Sequence, residues 1–369
     1  SIFPRGDFPL NVSDFLPRLG RVMNHSETKK LIVTTGAPSQ NVYAERVLLL
    51  NESGVPISTK SDAELNSQFV GRASDGSRNV KGAGSSALAA LTSGTDCTAE
   101  GDHALAANTT GIGNVAVGSS ALAANTTGVT NTAVGWNALA ANLTGACIVA
   151  IGPVALYHNL ADDNVAVGSN ALYANTTGQS NTGIGTWALA DNTTVSGLTA
   201  VGFAALRRNT TGTGNTAVGG SAAGVSTTAS FLTAVGYGAL FAATTGGGNT
   251  AIGGAALGGV TNGTDNVGIG NDVGVIASKV AVSGIRNTWI GTASGPNDTS
   301  DPSQTVAIGY AARTAGTYAT AIGYATRATA TSSVAIGCDS GGNSATTSTS
   351  NEIKLGTASH TTNIIGNAS

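Results

Sequence analysis

Residues 131–145 read Asn-Thr-Ala-Val-Gly-Trp-Asn-Ala-Leu-Ala-Ala-Asn-Leu-Thr-Gly, and the same arrangement returns along most of the chain. The glycine after its small-apolar pair stands at Gly84, Gly101, Gly118, Gly135, Gly152, Gly168, Gly185, Gly202, Gly219, Gly236, Gly253 and Gly270. Ten of those eleven intervals are 17 residues and one is 16. Spacing then drifts to Gly291 and Gly309 and settles at 14 residues through Gly323 and Gly337. Fixed periods of this length mark a repeat architecture in which each unit stacks on its neighbours.

Working outward from the glycine, the columns have different physical characters. Just before it stand β-branched residues such as Val117, Val134, Ile151, Val201 and Ile269, suited to a strand. Four residues after it comes leucine, as at Leu105, Leu122, Leu139 and Leu240, usually behind alanine. The Ala-Leu-Ala-Ala stretch is too short to nucleate a helix before Asn-Thr-Thr-Gly interrupts it. Two short strands and two turns per 17 residues therefore predict one coil of a parallel β-solenoid. Gly111, Gly128, Gly145, Gly178, Gly212 and Gly246 follow Thr- or Asn-rich stretches, where turns with unusual backbone angles are expected. Asparagine recurs in two columns, one through Asn114, Asn131 and Asn164 and one through Asn108, Asn125 and Asn142. Amides at strand spacing are expected to hydrogen-bond along the stack.

A coil this small encloses one apolar ladder, not both. Val134, Val201 and Leu139 are all expected in buried ladders, with leucine covered by identical ladders around a symmetry axis, since an exposed ladder invites aggregation. The sequence physics leaves two chains or three open at this point.

Composition agrees with a fibre more than with a globular domain: 369 residues include 52 glycines, with aromatics at 5% and charged residues at 10%. Charged residues fall well below the ~25% of ordinary domains. The net charge is −3, and basic residues reach only pairs such as Lys29-Lys30 and Arg207-Arg208, which speaks against nucleic acid or anionic membranes as partners. No run approaches the ~20 apolar residues of a membrane span, and the start lacks a signal-peptide layout, so neither export nor anchoring is expected. Cys97, Cys147 and Cys338 form no CxxC pair, and free thiols are expected, with no metal site. His25, His103, His158 and His360 stand in no recognised catalytic arrangement, so neither catalytic nor cofactor-binding residues are assigned. Asp162-Asp163 replaces Thr-Thr-Gly in one coil and reads as a solvated turn.

The 14-residue units Val306-Ala307-Ile308-Gly309-Tyr310-Ala311, Thr320-Ala321-Ile322-Gly323-Tyr324-Ala325 and Val334-Ala335-Ile336-Gly337 resemble the head repeats of trimeric autotransporter adhesins. That resemblance implies a parallel β-roll in a three-chain assembly. The 17-residue unit is similar to repeats of phage tail-fibre proteins. Residues 351–362, Asn-Glu-Ile-Lys-Leu-Gly-Thr-Ala-Ser-His-Thr-Thr, resemble the segment leading into the self-cleaving intramolecular chaperone of tail fibres and endosialidase tailspikes. By that likeness a chaperone follows Ser369 in the precursor and is removed.

The expected organisation is an all-β homotrimeric fibre. Residues 1–58 form a small virion-attachment region with strand-like runs at 30–35 and 46–50, and 59–80 a polar neck. The 17-residue solenoid covers 81–295, the 14-residue β-roll 296–345, and a C-terminal segment 346–369. The expected setting is a virion appendage assembled in the host cytoplasm, with an autotransporter-like adhesin head as the alternative. Its partners would be two identical chains, a virion protein at the N-terminus and a host-surface glycan or protein. Aromatics mark candidate receptor contacts: Trp136, Phe203 and Tyr237 follow the column glycine, as do Tyr310 and Tyr324, while Tyr157 and Tyr173 share another column with Phe241. Packing between coils explains the same residues. An ice-binding role would need a flat threonine array, and the threonines here cluster in turns. Arg5-Gly6-Asp7 spells an adhesion tripeptide of a length that arises by chance.

Overall fold

The computed structural model describes residues 30–33, 46–49, 68–72, 79–274, 283–297, 301–338 and 343–357. The Arg5-Gly6-Asp7 tripeptide, the turn after residue 50 and residues 358–369 lie outside them. The chain forms two compact units, Ser1–Leu65 and Asn66–Ser369. In the first, Lys30–Val33 and Arg46–Leu49 pair antiparallel, with Lys30 opposite Leu49.

The second unit is an all-β parallel solenoid. Its first strand, Gln68–Arg72, folds back antiparallel on Asn79–Ala83, inside the stretch read from sequence as a neck. From Asn79–Ala83 onward every strand of the main sheet is parallel to the next. Thr132–Val134 pairs with Val149–Ile151, Thr199–Val201 with Thr216–Val218, and so on to Val334–Ile336 with Ile353–Leu355. Register is kept column on column, so Ala133 lies beside Ala150 and Val134 beside Ile151. The sheet runs from Gln68–Arg72 at one end to Ile353–Leu355 at the other, with no pairing between those ends among the described residues.

A strand points successive side chains to opposite faces. In Thr132–Val134 only the central alanine is buried. The core is therefore Ala133 and its column together with Leu139 and its column, closed to solvent from residue 99 to residue 274. This reverses the expected placement. Leucine fills the coil, and the β-branched residues face outward: Ile151, Ile184, Val218, Ile252 and Ile269 are 37% to 41% exposed. The reason is volume. A three-residue strand offers one inward position, and in the 17-residue coils only alanine or glycine stands there because the leucine opposite already fills the gap, as Leu257 does against Gly268.

The leucine side is not a second strand in the 17-residue coils. Asn137 and Leu139 both take left-handed backbone angles, with φ of 53° and 54°. Such a conformation costs a non-glycine residue about 1–2 kcal/mol, and full burial of leucine, worth about 1.5–3 kcal/mol, offsets it. Backbone pairing still runs along the stack: Leu122 N–H donates to Ala138 O at 3.0 Å and Leu139 N–H to Ala155 O at 2.9 Å. Two-residue strands do form on this side in the shorter coils, where Arg313–Thr314 pairs with Arg327–Ala328.

Two glycine columns have different causes. Gly135 has φ +132°, and an added Cβ would stand 2.7 Å from the carbonyl carbon of Gly152 in the next coil. Gly145 does not have the unusual angle expected of it. Its constraint is space, since a Cβ there would lie 2.5 Å from Asn142 Oδ1. The positive φ falls two residues later, at Gly113, Thr130 and Cys147 in successive coils.

Both asparagine columns are buried. Asn125 Nδ2 donates to Asn108 Oδ1 at 2.8 Å, and Asn142 Nδ2 to Asn125 Oδ1 at 2.9 Å. The ladder skips a step at Asn142, whose Oδ1 is left without a partner, because the next coil is the 16-residue one and Asn159 Nδ2 turns to Ala161 O at 2.7 Å; it resumes where Asn175 Nδ2 donates to Asn159 Oδ1 at 2.7 Å. The other column works through backbone. Asn131 Nδ2 donates to Gly145 O at 2.7 Å, and its Oδ1 accepts from Ile148 N–H at 3.0 Å.

Where the period changes, Trp289 takes the inward strand position and is fully buried, its Nε1–H donating to Thr305 Oγ1 at 3.0 Å. Room comes from Gly274 in the leucine column, where a Cβ would stand 2.7 Å from the indole ring.

Candidate functional site

With the interior filled by alanine, leucine and asparagine, chemistry on this molecule resides on outward columns. Three of them hold the Val/Ile stripe and the five receptor-contact candidates. The first is the Val/Ile stripe on the strand face. The second follows the coil glycine, where Trp136 is 59%, Phe203 60% and Tyr237 77% exposed. Tyr237 also packs: its ring lies over Gly220 of the preceding coil, 3.2 Å from where a Cβ would be. Tyr310 and Tyr324, in the same column, stack with ring centroids 5.4 Å apart.

The third column lies five residues after the glycine, on the leucine side. Tyr157 and Tyr173 stack there with centroids 5.8 Å apart and planes 19° from parallel. His158 meets both rings edge-on, at 4.7 Å and 5.1 Å. The five candidates thus divide between two outward columns: Trp136, Phe203 and Tyr237 in one, Tyr157 and Tyr173 in the other. Two coils on from Tyr173, Arg207 fills the tyrosine column with its guanidinium carbon 4.9 Å from the Trp187 ring centroid. Sequence reading passed over this pair, because Trp187 and Arg207 are 20 residues apart and meet only when coils stack in register. It also missed Phe231, which is 70% exposed with φ of 58° and lies against Gly214. The repeat alignment was the available signal, since both residues depart from their columns.

Among the described residues no group of three His, Cys, Asp or Glu side chains is placed to hold a metal ion. Asp162 Oδ1 accepts from Ala146 N–H at 2.8 Å, so this carboxylate closes a coil turn. His103 Nδ1 lies 3.0 Å from Asp102, both exposed. Cys97 is buried in the asparagine column with Sγ 3.3 Å from Gly111 O, and that burial pushes its thiol above the ordinary value. All three cysteines are free, and Cys147 is exposed. No helix among the described residues is long and apolar enough to cross a membrane.

Fold and columns together define a parallel β-solenoid whose interior is structural and whose outer columns carry apolar and aromatic side chains. Its 14-residue coils are similar to a known family: the YadA head domain repeat matches in two copies, over residues 303–326 and 315–337. These matches support an adhesin-like fibre. No curated protein matches the chain.

Proposed function

We propose that the chain is one strand of a homotrimeric, adhesin-like structural fibre with no catalytic role. The observation that carries this is the Val/Ile stripe. Side chains such as Ile151, Ile184 and Ile252 each leave on the order of 60–75 Å² open, and the whole stripe exceeds the ~300–600 Å² of a typical monomer's largest apolar patch. A long stripe parallel to the stacking direction is covered when copies pack around a common axis, and closed symmetry then prevents runaway association. Three copies is the number implied by the likeness of the 14-residue coils to adhesin heads.

The setting we propose is a virion appendage, with residues 1–58 as its attachment end and the solenoid reaching toward a host-surface glycan or protein. The resemblance of the 17-residue unit and of residues 351–362 to tail-fibre sequences supports it. A bacterial adhesin head is the second reading, favoured by the family match at residues 303–337. Electron microscopy with a gold label on the N-terminus separates them. A virion appendage places the label at the particle and the solenoid outward, while label-bearing fibres found on bacterial envelopes in the absence of particles support the adhesin head.

A further inference from the structure

We propose that the leucine-side column holding Tyr157, Tyr173, Arg207 and Phe241 is a binding track for an acidic polysaccharide. This deepens the proposed function and rests on it. The column lies on the side of the coil away from the Val/Ile stripe, so assembly through that stripe leaves it open.

Charge singles the track out. From residue 82 to residue 274 the only lysine or arginine residues are Arg207 and Arg208. Asp191 stands in the column of Arg208 one coil earlier, whereas the neighbours of Arg207 in its own column are Ala190 and Gly224. Neither arginine forms an ion pair with a carboxylate among the described residues. Arg207 is held rather than free: its guanidinium lies over the Trp187 ring, and its Nε is shielded from solvent without a hydrogen-bond partner. A guanidinium fixed in this way presents its remaining N–H groups as a fork suited to an oxyanion.

The aromatics supply the second half of the recognition. Tyr157 and Tyr173 form a stacked pair, steadied by His158, and Phe241 ends the track with its ring near Gly224, 3.5 Å from a Cβ built there. Because Tyr157 and Tyr173 cover one face of each other, each ring offers a sugar only the face turned away from its partner, a flat surface that suits the apolar C–H face of a pyranose. Tyr173, Arg207 and Phe241 are successively two coils apart, about 9.5 Å at the usual strand spacing, a step that matches a disaccharide. A ligand that stacks, offers an anion and stacks again is a chain of sugars bearing a carboxylate or phosphate at intervals. Nucleic acid fits less well, since a single pair of arginines neutralises little of its charge.

The test uses the full chain on immobilised hyaluronan, alginate and polygalacturonate, with neutral dextran and inorganic polyphosphate alongside, while light scattering and thermal melting report assembly and folding. At least one acidic polysaccharide should retain the chain, and dextran and polyphosphate should not. Arg207→Met keeps the aliphatic stem over Trp187 and removes the charge. With Arg208→Gln it should weaken binding about tenfold and flatten its salt dependence. Tyr173→Ala should weaken it about three- to tenfold, and Leu143→Thr, at an exposed turn position outside the track, should leave it within twofold. Arg208→Gln alone, at an exposed residue, covers the case in which the Arg207 variant does not fold, and should weaken binding measurably. A folded chain that binds no acidic polysaccharide better than dextran overturns the proposal, as does equal retention on polyphosphate or undiminished binding by the arginine variants. A trimer that does not bind fails this inference alone, and a monomer that binds fails the assembly reading alone.

Discussion

Adjacent residues of one strand have opposite roles, and a matched pair of substitutions exposes the difference. Ala200 is fully buried against the leucine column, and Val201 faces outward. Ala200→Asp puts an unpaired carboxylate into a closed apolar column, at an effective cost of several kcal/mol, and adds bulk worth a further ~1–3 kcal/mol of overpacking. Coils on either side lose register, and the far-UV signature and melting temperature should fall. Val201→Asp leaves the single chain nearly unaffected, within ~0.5 kcal/mol for a surface change. Its effect comes on association. The lost valine forgoes about 0.5–1 kcal/mol per chain, roughly a third of the ~1.5–3 kcal/mol that full burial is worth. In the proposed trimer three carboxylates would also be driven together out of water. Circular dichroism melts paired with sedimentation velocity should show an unfolded or aggregated Ala200→Asp chain and a folded Val201→Asp chain that does not associate. If Val201→Asp unfolds the coil while Ala200→Asp melts like the parent, the assignment of inside and outside is wrong.

Other outcomes follow from the columns. Gly135→Ala should destabilise by about 2–4 kcal/mol, combining a forbidden φ with contact against Gly152. Gly145→Ala should cost less, about 1 kcal/mol, because the atom in its way is the Asn142 side-chain oxygen, which can shift, and Ala161, Val195 and Ala229 already occupy that column; chemical denaturation separates the two. Asn125→Ala should cost about 1–3 kcal/mol by leaving buried polar partners in the coils on either side unsatisfied, read from the denaturation midpoint. A thiol reagent at mildly alkaline pH should modify Cys147 quickly and Cys97 only after unfolding. Because the folded Cys97 thiol binds its proton more tightly than the unfolded one, its contribution to stability is present below the ordinary value of 9.0 and lost as pH rises past it.

Much of the solenoid was legible in the sequence because its order is periodic. The glycine column fixed the coil length, and the recurring Asn columns marked buried amides. What the sequence hid is local geometry. Leu139 adopts a left-handed angle normally read as a glycine or asparagine signature, so the leucine side looks like a strand until the backbone is seen. Val134 looks like core by residue type, yet the inward position of a three-residue strand belongs to Ala133. The surface was harder still. Trp187 and Arg207 become neighbours only through register, and Trp289 is readable as a plug only beside Gly274.

If the outward Val/Ile stripe is covered by copies of the same chain, the chain associates in solution. The absolute molar mass of the purified full-length chain in solution, by light scattering across a dilution series, tests this most directly. A stripe covered in a trimer gives three times the mass of one chain, unchanged on dilution. A stable, folded species with the mass of a single chain at every concentration contradicts it.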